Sequence, residues 1–217
     1  MRHPLETAAA CVAAAAIAGS AAAADLTVTV KGEDGTPLAD AVVLVHPAAG
    51  SGPASAIHYA WATTMTQQNI AFNPYVLIVP VGSTVGFPNK DKVRHHVYSF
   101  SAAKKFELKL YGQQEERSVT FDKAGIVALG CNIHDVMIGY IYVADTPFAA
   151  KTDASGTVTI HGLPGGNGTL SVWHPDMRAK VPADKAVNLT TAAPETVALD
   201  LRPVSQRHKK MAMSSPL

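Results

Sequence analysis

The stretch Gly130-Cys131-Asn132-Ile133-His134-Asp135-Val136-Met137-Ile138-Gly139-Tyr140 decides how the rest of the chain is read. A thiol, an imidazole and a thioether follow one another at intervals of three residues, as Cys131, His134 and Met137. Beyond them Ile138-Gly139-Tyr140-Ile141-Tyr142-Val143 alternates as a strand does. A tight loop of this length can turn all three side chains toward one point. Thiolate and imidazole bind copper strongly, and copper tolerates a distant thioether. The plainer alternative is a buried Cys, a surface His and a core Met that are merely neighbours, since free Cys and Met are ordinary core residues.

Working outward, short alternating runs recur on both sides, separated by Gly and Pro turns. Upstream they are Leu26 to Lys31, Ala41 to His46, His95 to Phe100, Phe106 to Tyr111, Ser118 to Phe121 and Gly125 to Gly130. The stretch from Met65 to Phe87 reads as two strands and a turn at Gly82. Downstream, Thr157 to His161, Thr169 to Trp173 and Val197 to Leu201 continue the pattern, and Trp173-His174-Pro175 is placed as an anchor between neighbouring units. Strands this short, at turn spacings of about 8–12 residues, predict an all-β sandwich.

The chain has 217 residues, enough for one large or two small domains. Its formal net charge of +1 and 16% charged residues do not point to nucleic acid or an acidic substrate. Residues 1–24 have the make-up of a cleavable export signal. Arg2 comes first, an apolar run spans Ala8 to Ala18, and Ala22-Ala23-Ala24 precedes Asp25. No apolar stretch is long enough to predict a transmembrane helix. Export would remove Cys11 and leave Cys131 alone in an oxidising compartment, where a reactive thiol is a liability unless buried or bound to metal.

The middle of the chain, about Met65 to Val143, resembles the plastocyanin/amicyanin-type cupredoxins. The likeness rests on Phe87-Pro88-Asn89 leading to His95, on Gly125 six residues before Cys131, and on the spacing of Cys131, His134 and Met137. It implies a Greek-key cupredoxin sandwich holding one copper ion in a type 1 site. His95, Cys131 and His134 would form the trigonal plane, with Met137 as the long axial contact. Two departures are visible: His96 follows His95 where the family has Asn, and Gly130 stands where plastocyanins carry an aromatic residue. Loop length favours His95 as the upstream ligand, whereas the strand alternation ending at Phe100 suits His96 equally. Zinc at the same donors is the chemical rival to copper.

The flanks resemble a carboxypeptidase-regulatory-like, transthyretin-like sandwich, through Val28-Thr29-Val30-Lys31-Gly32 to Val45 and Thr152-Asp153 to Leu163-Pro164-Gly165-Gly166. The expected organisation is therefore a signal over 1–24, a flanking sandwich from 25–47 with 148–203, a cupredoxin unit over 58–145, and a disordered tail over 204–217. An inserted cupredoxin unit and two separate decorations at its ends both remain open. His46, His58, His161 and His174 lack metal-pair spacing and are read as polar or hydrogen-bonded surface residues.

The expected function is a periplasmic blue copper protein passing single electrons, not an enzyme. Its implied partner is a redox protein, a c-type cytochrome or a periplasmic dehydrogenase, docking near His134 against Ile133, Val136 and Ile138. The amicyanin-like spacing suggests methylamine utilisation. Copper sequestration or delivery without electron transfer is the alternative, and a flanking sandwich that binds a surface partner is a third reading.

Overall fold

The computed structural model describes residues 23–51 and 57–203. The expected signal, save for its last two residues, and the expected disordered tail lie outside them. The described residues are all-β. In chain order the strands are β1 (Ala24–Gly32), β2 (Val42–Pro47), β3 (Thr66–Gln68), β4 (Ala71–Asn73), β5 (Val76–Pro80), β6 (Ser83–Gly86), β7 (His95–Phe100), β8 (Lys105–Tyr111), β9 (Ser118–Phe121), β10 (Gly125–Cys131), β11 (Ile138–Ala144), β12 (Ala149–Lys151), β13 (Thr157–Leu163), β14 (Asn167–Trp173), β15 (Ala183–Asn188) and β16 (Glu195–Leu199). Among the described residues no helix is long and apolar enough to cross a membrane.

The middle of the chain builds a five-stranded sheet in the order β5-β11-β10-β7-β8, faced by the two-stranded ribbons β3-β4 and β6-β9. Alternation delivers one core between them. Val97 from β7, with Val127, Leu129 and Cys131 from β10 and Ile141 and Val143 from β11, meets Phe72, Val85, Phe87 and Phe121. Strand β8 closes the sheet as an edge, and its outward Lys105, Glu107 and Lys109 discourage pairing with another chain.

The strands on either side of this middle portion build two further sheets, β13-β1-β16 and β12-β2-β14-β15. Leu26, Val28 and Val30 of β1 pack with Val42 to Val45 of β2, Leu170 and Val172 of β14, and Leu199 of β16. Strands β5 and β11 serve both cores. Leu77 and Val79 face the middle core, whereas Val76 and Ile78 face the other. Burial on both faces explains why Val76-Leu77-Ile78-Val79 reads as an unbroken apolar run instead of an alternating one. Trp173 sits on this seam, with ring centroids 5.4 Å from Tyr140 and 5.8 Å from Tyr142.

One local expectation changes. The stretch from Met65 to Phe87 holds four strands instead of two, because the chain reverses at Asn69-Ile70, both with positive φ (58° and 56°). Left-handed backbone is unfavourable for a β-branched residue, so nothing local marks Ile70 as a turn. The hairpin is held from outside: the backbone N–H groups of Asn69 and Ile70 donate to the Asp91 carboxylate at 2.6 and 3.0 Å.

Candidate metal centre

Two neighbouring strands of the five-stranded sheet bring the upstream histidine to the cysteine. β10 and β7 are antiparallel, with Gly130 opposite Tyr98 and Cys131 opposite Val97, and the Asn132 N–H donates to His96 O at 3.0 Å. Along β7 the side chains alternate, so His95, Val97 and Ser99 are buried while Phe100 is 79% exposed. His95 therefore points inward and His96 outward, where its Nε2 lies 2.8 Å from Glu107 Oε1 on β8. Opposite His96 the β7–β8 register slips: His95 faces Tyr111, but Val97 faces Leu108. Such a bulge twists the strand end and re-aims its side chains.

Cys131 ends β10 and is 3% exposed. The following loop turns back at once, with the Met137 N–H donating to His134 O at 2.9 Å, and β11 starts at Ile138. This short return places His134 Nδ1 3.6 Å from Cys131 Sγ, and His95 Nδ1 lies 3.7 Å from the same sulfur. The donor atoms of His95, Cys131 and His134 all lie within 4.8 Å of one another. The two imidazole centroids are 5.0 Å apart. Met137 is fully buried in the same core as Cys131. His134 is half-buried, and its flanking residues Ile133 and Val136 are 49% and 46% exposed, so the group meets solvent on this edge.

The donor set fits a metal ion on two counts. Sulfur and nitrogen donors at about 2.3 and 2.0 Å from one ion, spread at tetrahedral to trigonal angles, stand about 3.5–3.7 Å apart, the separation found here. The second count is protons. His95 Nε2 lies 2.9 Å from Asp91 Oδ2, so a neutral His95 carries its proton there and leaves Nδ1 bare. That bare nitrogen is turned toward the Cys131 sulfur, as the nitrogen of a neutral imidazole ligand must be turned toward its ion.

The surroundings are rigid. Asn89 Oδ1 accepts from the Asp91 N–H at 2.8 Å, and its amide donates to Val93 O at 2.9 Å and Tyr111 O at 3.2 Å. Tyr111 Oη donates to Phe87 O at 2.8 Å, and burial pushes its phenol up to about 12. For Asp91 the largest single influence is desolvation, which raises its pKa. The hydrogen bonds from Ile70, His95 and Asn69 outweigh it, and the carboxyl is held below its ordinary value.

Two participants escaped the sequence reading. Asp91 was visible only as one residue of a polar loop, and a carboxylate four residues before a candidate ligand was the available clue. The other is Tyr98. A Cβ on Gly130 would stand 2.8 Å from Tyr98 Cζ and Oη, so the Tyr98 ring fills the space beside the residue preceding the cysteine. Of the other histidines, His46 Nε2 is 2.8 Å from Asp145 Oδ1, His161 Nδ1 is 2.8 Å from Asp25 Oδ2, and His174 Nε2 is 3.2 Å from Ala39 O.

No family model matches the chain, and no curated protein matches it. Solved structures do. A copper-containing nitrite reductase from Thermus scotoductus SA-01 is 30% identical over 40% of this chain and 23% of its own, with a TM-score of 0.37. This chain thus spans less than a quarter of that reductase. A purple cupredoxin from Nitrosopumilus maritimus is 23% identical over 37% of this chain and 96% of its own, with a TM-score of 0.34. The reduced Cu(I) form, at pH 4, of an amicyanin mutant is 23% identical over 47% of this chain and 98% of its own, with a TM-score of 0.35.

Proposed function

We propose that this chain is a type 1 copper protein that carries single electrons between redox partners. The observation that supports this most is the convergence of two imidazole Nδ1 atoms, 3.7 and 3.6 Å away, on one buried cysteine sulfur. His95, Cys131 and His134 would hold the ion, with Met137 as the candidate fourth donor. A copper ion bound there would supply a Cu(II)/Cu(I) couple. His95 and Cys131 project from paired strands, so their positions change little when charge on the group changes. His134 offers a half-exposed ring edge framed by Ile133 and Val136, the place we assign to partner docking. Four protein donors would leave no open position for a substrate, so the role is that of a carrier, not a catalyst.

The finer parts of this reading rest on sequence. Residues 1–24 support export to the periplasm. The partner would be a c-type cytochrome or a periplasmic dehydrogenase, and the loop spacing supports methylamine utilisation as the setting. Residues 25–47 and 148–203 are proposed as one carboxypeptidase-regulatory-like unit carrying the 58–145 unit as an insertion.

The test is to add Cu(II) to the purified protein and record its visible spectrum. An intense thiolate-to-copper band, lost in Cys131→Ser, is expected; colourless protein with no uptake would end the proposal. Self-exchange kinetics and a redox titration then separate carriage from delivery. Slow exchange with ready metal loss would assign the chain to copper sequestration or delivery.

A further inference from the structure

We infer that Asp91 is the positioning residue of this centre: it locks His95 in the Nε2–H form with Nδ1 bare toward Cys131, and the Asn69-Ile70 turn holds Asp91 in place. The inference rests on the metal-site reading above and names the residue that prepares one of its donors.

The Asp91 carboxylate is only an acceptor, so each nitrogen facing it must carry a hydrogen. Three do: Asn69 N–H at Oδ1, 2.6 Å away, Ile70 N–H at Oδ2, 3.0 Å away, and His95 Nε2 at Oδ2, 2.9 Å away. The His95 side chain is fully buried and that of Asp91 is 12% exposed, so water competes little for this contact. Asn89 fixes the Asp91 backbone, and the Lys90 N–H donates to Gln67 O at 2.8 Å, tying the loop to the hairpin. The hairpin residues Asn69 and Ile70 hold left-handed backbone. Backbone strain of this kind persists only where surroundings impose it, and here the imposing group is the carboxylate that also grips His95. Turn, carboxylate and imidazole thus form one relay ending at the Cys131 sulfur.

A carboxylate behind a ligating imidazole fixes its tautomer and raises its basicity, and losing such a partner typically costs 10–100-fold in metal affinity. Asp91→Asn separates positioning from mere packing. Its amide keeps the shape but leaves one acceptor oxygen for three N–H donors, so the Nε2–H form is no longer enforced and a proton can turn toward the sulfur.

The experiment is nitrogen-15 NMR of the His95 ring in metal-free protein, with the backbone spectrum reporting folding. Wild type and Asp91→Glu are expected in the Nε2–H form, and Asp91→Asn and Asp91→Ala as mixtures of the two forms. Cu(II) affinity should fall about 10–100-fold in Asp91→Asn. If Cu(II) binding weakens tenfold more than Cu(I) binding, the reduction potential rises by about 59 mV. An unchanged tautomer in both Asp91→Asn and Asp91→Ala overturns the inference, even when wild type takes up copper normally. The proposed tautomer shift in a protein that takes up no copper would support the role of Asp91 and sink only the metal reading.

Discussion

The ring of Tyr98 on β7 occupies the space that a side chain on Gly130 of β10 would need, with its Cζ and Oη 2.8 Å from where a Cβ would stand. The residue before the cysteine lacks a side chain because its cross-strand partner supplies an aromatic ring from the adjacent strand. Tyr98 in turn leans on Phe100, centroid to centroid 5.2 Å, which carries the aromatic surface out to solvent.

Gly130→Ala is therefore expected to push the outer end of the half-exposed Tyr98 ring aside, at a cost of no more than about 1 kcal/mol. Tyr98→Ala in the same chain should remove that cost. Denaturant melts of the four-member cycle measure it; purely additive effects would show that the ring does not constrain Gly130.

The two imidazoles differ in access, and this predicts different responses to truncation. His134→Gly opens a solvent-facing gap, so added imidazole should restore the thiolate-to-copper band. His95→Gly leaves its gap fully buried beside Asp91, and added imidazole should restore little. Visible absorption during imidazole titration reads both; equal rescue would contradict the inward placement of His95.

Gly156 closes the turn before β13 with φ of 75°, and a Cβ there would lie 2.5 Å from Val30 O. The Val30 N–H donates to Gly156 O at 2.7 Å, so the turn cannot swing away without losing a β1 contact. Gly156→Ala should cost more than about 2 kcal/mol, combining left-handed strain with a backbone collision. A melting temperature within a degree of wild type would refute this.

Asp153 organises the same turn by accepting from Ser155 Oγ at 2.6 Å, Ser155 N–H at 2.9 Å and Thr157 N–H at 3.1 Å. The Ser155 side-chain bond, followed by the Thr157 N–H, holds its carboxyl below the ordinary value of 3.8. A carboxyl depressed in the folded state adds stability that is fully present above its unfolded value and lost as pH falls through the folded one. Denaturant midpoints of wild type and Asp153→Ala should thus differ at pH 6 and converge as pH drops below 3.8. A constant gap across that range would exclude the carboxylate as its cause.

Most strands were legible because burial on one face leaves a period of two, as in Leu26 to Lys31 and Thr157 to His161. The reversal at Asn69-Ile70 was not, because its stabilising partner, Asp91, lies some twenty residues further on. The choice between His95 and His96 was equally hidden. A hydrophobic reading of β7 puts Phe100 and Tyr98 inward, and His96 with them, whereas the folded strand turns Phe100 out to solvent.

The amino-acid order by itself determined the all-β character and the set of soft donors, since strand period and the three-residue spacing of Cys131, His134 and Met137 are local properties. Tertiary structure alone decided which histidine faces the sulfur and which ring covers Gly130. Each of these depends on pairing between strands or loops distant in the chain, and a contact across strands has no signature in the residues on either side of it.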